Sequence, residues 1–323
     1  MKAAQLVGPK LFEFVEIDTP TISADQCLIQ VQEVSICGSD CRHGYAPIED
    51  DNEYPLAPGR PCHEIAGTVV ESRSDQYREG QRVIVLPTTG AGGLVEYMAS
   101  GTDRMIALPD HGDLKEWLMC QPSGTVLYSC QRAGSVLGHS VLIVGQGAIG
   151  LSFTMLMVMQ GARQVIVADK LDYRLEWGKK FGATHTINPD TENFDEAVKE
   201  ITGGVGPDVT VEASGFPDGL DAAFRLVKQF GRVVIFGIQS QDVLPVDTRH
   251  WMNLQPTIIP TTGARSGDPT THIANIVALK DRGIIDPGQM VTHYKQFNVE
   301  DVNQSYQMYE EYRDNIIKVV MTL

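Results

Sequence analysis

Residues 141–169 read VLIVGQGAIGLSFTMLMVMQGARQVIVAD: an apolar strand, a glycine turn, an apolar helix, a second strand and an aspartate. Each part has a use at a dinucleotide. Gly145 permits the tight strand-to-helix turn, and Gly147 lets the backbone approach a pyrophosphate with no Cβ in the way. Gly150 allows the helix to pack close to the sheet. The helix N-terminus, at Ala148 and Ile149, offers unpaired N–H groups to phosphates. Asp169 stands nineteen residues after Gly150, at the end of the second strand, where a carboxylate binds ribose hydroxyls. A G-x-G-x-x-G alone is weak evidence, but this one is framed by strand, helix and strand.

From about residue 122 the alternation continues. HTIN, DVTVEAS and RVVIFGI read as further strands, and helical segments are expected at 148–160, 171–181, 194–202 and 217–229. Such alternation builds a doubly wound parallel sheet, with its ligand at the strand C-termini. The stretches GVGPDVTVEASG and FGRVVIFG end in glycines at that same edge, as close packing against a nicotinamide ribose requires. Before residue 122 the rhythm is different. CLIQVQEVSI, EIAGTVVES, QRVIVLP and GLVEYMA are short strands broken by turn signals, which predicts a mainly antiparallel β-domain. From about Gly263, HIANIVALKDRG and DVNQSYQMYEEY are helical. The closing IIKVVMTL is a strand expected to return to the first domain. The expected division is therefore 1–122, 123–262 and 263–323.

With 323 residues, each domain can bury its own core. A net charge of −15 counts against nucleic-acid and anionic-membrane partners, which need a basic face. The N-terminal MKAAQLVGPK lacks an apolar export segment, and Leu151–Met159 is too short to span a bilayer. The expectation is a reduced, cytoplasmic protein whose cysteines are not a disulfide framework. Cys27 and Cys130 are read as small buried hydrophobes.

The densest polar cluster is ICGSDCRHGY at 36–45, followed by GRPCHEIAG at 59–67. Cys37 and His63 suit zinc, and Glu64 could be a ligand or stand beside one. The spacing is not that of a structural knuckle; ligands from separate loops are the pattern of catalytic zinc. Spacing alone also leaves open that these residues are unrelated.

Together with GAGGLVEYM, QP before the first helix, GQGAIG and IKVV, these motifs resemble the zinc-dependent medium-chain alcohol and polyol dehydrogenases over essentially the whole chain. The resemblance implies a GroES-like catalytic β-domain beside a Rossmann domain. It implies one catalytic Zn²⁺ per chain, held by Cys37, His63, Glu64 and Gln121, with Cys120 the alternative to Gln121. Ser39 would meet the substrate hydroxyl, and Asp40 would orient His63. Arg42 occupies the usual relay-histidine position, so the next residue, His43, is the relay candidate. Lys318 falls where relatives carry a basic residue near the cofactor phosphates. Cys62 replaces a usual glycine and is read as packing. GQRVIVLPTTGAGGLVEYM runs straight across the place of a four-cysteine structural zinc lobe, so a single zinc is expected.

The implied reaction is hydride transfer between an alcohol (polyol, sugar or secondary alcohol) or its carbonyl product and NAD. Asp169 favours NAD over NADP, although neighbouring Lys170 and Arg174 weaken that preference. A homodimer or homotetramer is implied. A zinc-independent enone or quinone reductase and a non-catalytic dinucleotide-binding protein are the alternatives, both disfavoured by the retained ligands.

Overall fold

The computed structural model describes residues 1–47, 53–241 and 243–323, without the side chains of His43 and Ala264. The chain divides into two compact units. One comprises Met1–Gln121, Ile273–Asp281 and Asp286–Leu323; the other comprises Pro122–His272 and Arg282–Ile285.

The first unit opens with an antiparallel pair, β1 (Lys2–Gly8) and β2 (Leu11–Glu16). The main sheet uses β3 (Gln26–Ser35), β4 (Glu64–Ser72), β5 (Arg82–Val85), β6 (Tyr97–Gly101) and β7 (Met105–Ala107). Two late strands join it, β14 (Val291–Gln296) and β15 (Lys318–Thr322), in the order β14-β15-β3-β4-β5-β7, with β6 also on β3. Every pairing in this sheet is antiparallel except β14 with β15. Alternation drives β3: Cys27, Ile29 and Val31 are buried while Gln26 and Gln30 turn outward. The terminal strand does return to this sheet, where β15 pairs with β3.

The second unit carries β8 (Ser140–Val144), β9 (Gln164–Ala168), β10 (His185–Ile187), β11 (Val209–Glu212), β12 (Arg232–Ile235) and β13 (Thr257–Pro260). They form an all-parallel sheet in the order β10-β9-β8-β11-β12-β13, so the direction of winding reverses between β8 and β11. Every residue of β8 is buried, as expected of a strand covered by helices on both faces. The helices that alternate with the first strands are Ala148–Met159, Asp172–Lys180, Phe194–Ile201 and Pro217–Leu226. The last stops short of the expected residue 229 because Val227 turns extended, at φ −62° and ψ 142°. β13 lies outside the expected strands, since four residues ending in a proline give no clear strand pattern. Among the described residues no helix is long and apolar enough to cross a membrane.

Glu33, on β3, faces a cavity of about 670 Å³ lined also by Arg82, Asp113 and Thr322. Its carboxylate accepts the Thr322 hydroxyl at 3.0 Å. Burial pushes its pKa up from 4.5 to about 7, Thr322 opposes the rise, Asp113 adds to it, and Lys115 opposes it. A carboxyl group raised on folding lowers stability as pH climbs from the unfolded value through the folded one. Glu33→Gln, which mimics the protonated acid, is therefore expected to raise the melting temperature at pH 8, by a stabilisation of about 1–2 kcal/mol, and to leave it unchanged at pH 4. Equal effects at both pH values would contradict this.

Candidate metal and dinucleotide sites

The candidate metal-ligating residues are brought together by strand register. Ser35 pairs with Glu64 across β3 and β4, so the chain leaving β3 toward Cys37 runs beside the chain entering β4 from His63. On the other side of β3, Val320 pairs with Ser35, which carries Lys318 to the same end. Ligating atoms of Cys37, His63 and Glu64 all lie within 4.8 Å of one another, the single such group among the described residues.

Asp40 ties the two loops. One oxygen accepts the Cys37 backbone N–H at 2.9 Å, and the other accepts His63 Nδ1–H at 2.6 Å. This fixes the tautomer and leaves Nε2 as the ring nitrogen available to a metal. Beneath His63, the buried Tyr306 hydroxyl donates to the Pro61 carbonyl. Ser39 lies half-buried in the same short helical turn, Gly38–Asp40. The side chain of His43, the relay candidate, lies outside the described residues.

Lys318 departs from its expected place at the cofactor phosphates. Its ammonium is 1% exposed and donates to both Glu64 oxygens at 2.6 Å and to the Ile36 carbonyl at 2.9 Å. With all three donors used, it has none left for a phosphate. The physical reason is the β15–β3 register, which inserts this lysine into the sheet interior. Burial would raise the Cys37 thiol, but the Lys318 ammonium and the hydrogen bond with His63 bring it below its ordinary value. A lowered thiol is what metal ligation requires.

The resemblance offers two residues, Gln121 or Cys120, for a further donor position. Cys120 is fully buried, and burial pushes its thiol up to about 12. Gln121 is also buried, and its Oε1 has no hydrogen-bond partner among the described residues. A buried, unpaired amide oxygen costs free energy unless something accepts its lone pair, and a cation does so. Thiolate, imidazole, carboxylate and amide oxygen together fit zinc. Cys62 is 2% exposed, and its Sγ makes long contacts with the Ser35 and Glu64 carbonyls. Burial holds its thiol well above the ordinary range.

In the second unit the glycine turn follows β8. Gly145 has φ +95°, and a Cβ there would stand 2.8 Å from the Ser214 nitrogen. A Cβ on Gly150 would stand 1.8 Å from the Gly145 carbonyl, so only glycine lets the helix close onto the turn. Gly147 caps that helix without a side-chain bond, leaving the N–H groups of its first turn without a side-chain cap. Asp169 also braces the turn, since its oxygens accept the Gln146 N–H at 2.7 Å and the Leu171 N–H at 3.0 Å. Arg174 Nη1 lies 3.7 Å from the same carboxylate. Lys170 is largely exposed, 3.8 Å from Asp190.

Two residues here escape sequence reasoning. Gln146 is fully buried, donating to the Gly145 carbonyl and accepting from Thr154. Glu212 is a fully buried carboxylate at the end of β11. Its signal is visible as an acid closing the apolar strand VTV.

If the Lys318–Glu64 pair is the buried linkage described, removing one partner strands the other's charge. Lys318→Met is expected to cost about 3–5 kcal/mol in denaturant unfolding. The double variant Lys318→Met/Glu64→Gln is expected to cost clearly less than Lys318→Met alone. Strictly additive losses would contradict the linkage.

Residues 23–126 match the alcohol dehydrogenase GroES-like domain family, and residues 148–278 match the zinc-binding dehydrogenase family. The chain is 28% identical to a sorbitol dehydrogenase of Bacillus subtilis, covering 99% of this chain and 97% of that protein. It is 30% identical to an L-threonine 3-dehydrogenase of Pyrococcus horikoshii, covering 88% and 89% respectively. An alcohol dehydrogenase from Thermus sp. ATN1 shares the fold, with a TM-score of 0.88, 21% identity and full coverage of both chains. The chain thus belongs to the zinc-type medium-chain dehydrogenase superfamily of oxidoreductases.

Proposed function

We propose that the protein is a zinc-dependent dehydrogenase that interconverts a polyol, sugar or secondary alcohol and its carbonyl product, with NAD as hydride carrier. The observation that carries this reading is the convergence of Cys37, His63 and Glu64 within 4.8 Å in a chain that also has a glycine-turn dinucleotide site. When bound, zinc supplies Lewis-acid activation of a hydroxyl oxygen, and the nicotinamide accepts hydride.

The chain's own residues supply the rest. Cys37, His63, Glu64 and Gln121 would hold the metal, with Lys318 gripping the Glu64 carboxylate. Asp40, Glu64 and the Cys37 thiolate are formally three anions against the one Lys318 cation, an imbalance that suits a divalent ion. Asp40 keeps His63 in its ligating tautomer. Ser39, between Cys37 and Asp40 in sequence, accepts the hydroxyl proton and passes it outward. In the other unit, the N–H groups at Ala148 and Ile149 would hold the pyrophosphate, and Asp169 would hold the adenosine ribose. A carboxylate at that position repels a 2′-phosphate, which supports NAD over NADP, while Arg174 beside it reduces the margin. The sugar and polyol preference rests on likeness to the sorbitol dehydrogenase and on the Gln121–Pro122 pair.

The test is NADH formation over a panel of polyols, sugars, hydroxyamino acids and secondary alcohols, with bound zinc measured on the same samples. Cys37→Ala is expected to lose the metal and at least 10²-fold in kcat/KM; a variant with full zinc and full activity would sink the mechanism. Asp169→Ala is expected to raise the KM for NAD⁺ about tenfold and to narrow discrimination against NADP⁺. An unchanged NAD⁺/NADP⁺ ratio would remove Asp169 from cofactor choice.

A further inference from the structure

Glu212 is fully buried, and hydrogen bonds engage both of its oxygens. Oε1 accepts the Ser214 N–H at 2.7 Å, the Ser214 hydroxyl at 2.6 Å and the Gly215 N–H at 2.7 Å. Oε2 accepts Gln239 Nε2–H at 2.7 Å. A buried carboxylate persists only where donors replace its water, and here all four donors are on loops. Three belong to the loop after β11 and one to the loop after β12.

These loops stand where a ligand binds a doubly wound sheet. Glu212 pairs in register with Val144, the residue before Gly145, so it lies at the C-terminal edge where the strand order reverses. The two loops also meet directly. Ser240 N–H donates to the Gly215 carbonyl at 3.0 Å, and a Cβ on Gly237 would stand 2.4 Å from the Gly215 nitrogen. Gln239 Nε2 reaches back to the Gly237 carbonyl at 3.3 Å. Its Oε1 is buried and has no partner among the described residues.

We infer that Glu212 and Gln239 are a positioning pair, which clasps the loop after β12 against the loop after β11 and so shapes the nicotinamide half of the dinucleotide site. The inference rests on the cofactor reading above and adds to it. β8 to β10 serve the adenosine half through the glycine turn and Asp169; β11 to β13 form the second half, where the sequence pattern offers only glycines. The clasp depends on one donor meeting one acceptor. Gln239→Glu would set two carboxylates against each other, whereas Glu212→Gln with Gln239→Glu reverses the donor and acceptor and restores the bond.

The experiment compares NADH affinity, by fluorescence titration, with affinity for 5′-AMP, which occupies the adenosine half alone. Gln239→Ala is expected to weaken NADH about tenfold and to leave 5′-AMP within twofold of wild type, while lowering the melting temperature because Glu212 Oε2 loses its donor. Gln239→Glu is expected to weaken NADH further, and the reversed double variant to return it to within threefold of wild type. NADH binding by Gln239→Ala within twofold of wild type would overturn the inference. So would equal weakening of NADH and 5′-AMP, which signals general loosening, or a reversed pair no better than Gln239→Glu. A wild-type protein that binds neither ligand fails the cofactor reading itself, and the clasp falls with it.

Discussion

The Lys318–Glu64 ion pair is the contact on which the metal-site end of the first unit depends. It is almost fully enclosed, with side-chain exposures of 1% and 0%. Removing two charges from water is costly, and the pair repays that cost only because both carboxylate oxygens and all three ammonium donors are used. Its partners sit on β4 and β15, which flank β3 on either side in the sheet order. The pair therefore fixes the lateral order of three strands at the point where Cys37 and His63 emerge. The same ammonium lowers the Cys37 thiol, so one buried cation serves sheet assembly and ligand chemistry together.

The second unit solves a different problem with different means. Its ligand edge is backbone, and what matters there is the absence of side-chain atoms at Gly145 and Gly150 and the presence of acceptors that hold the turns still. Asp169 closes the first turn by accepting the Gln146 N–H. Glu212 does the equivalent for the turn after β11. Two carboxylates, each at the end of a parallel strand, thus organise the two halves of the edge. The rest of the sheet needs only apolar β-branched residues to fill the space between helices.

Much of this is legible in the chain. The strand–helix alternation after residue 122 names five of the six parallel strands, because buried parallel strands read as apolar runs. β13 escapes because its four residues offer too short a run to distinguish from a loop. In the candidate site, local motifs bring together residues that are close in sequence, as with Cys37, Ser39 and Asp40 in one short turn. They fail for Lys318. A lysine near a C-terminus gives no local sign that register will bury it beside Glu64, and only the pairing of Val320 with Ser35 does so. Glu212 is hidden for a related reason: its partners are backbone N–H groups and an amide from another loop, none of which leaves a mark in a motif.

The placement of Lys318 also bears on how the molecule comes together. Its two carboxylate bonds and its bond to Ile36 span 254 and 282 residues of chain. Contacts of that separation carry a large loop-closure entropy cost. Without β15 in place, Glu64 has no buried cation beside it and the Cys37 thiol lacks the ammonium that lowers it. The candidate ligand set therefore depends on a lysine 254 residues from Glu64 in sequence, so a change in the C-terminal strand reaches it directly.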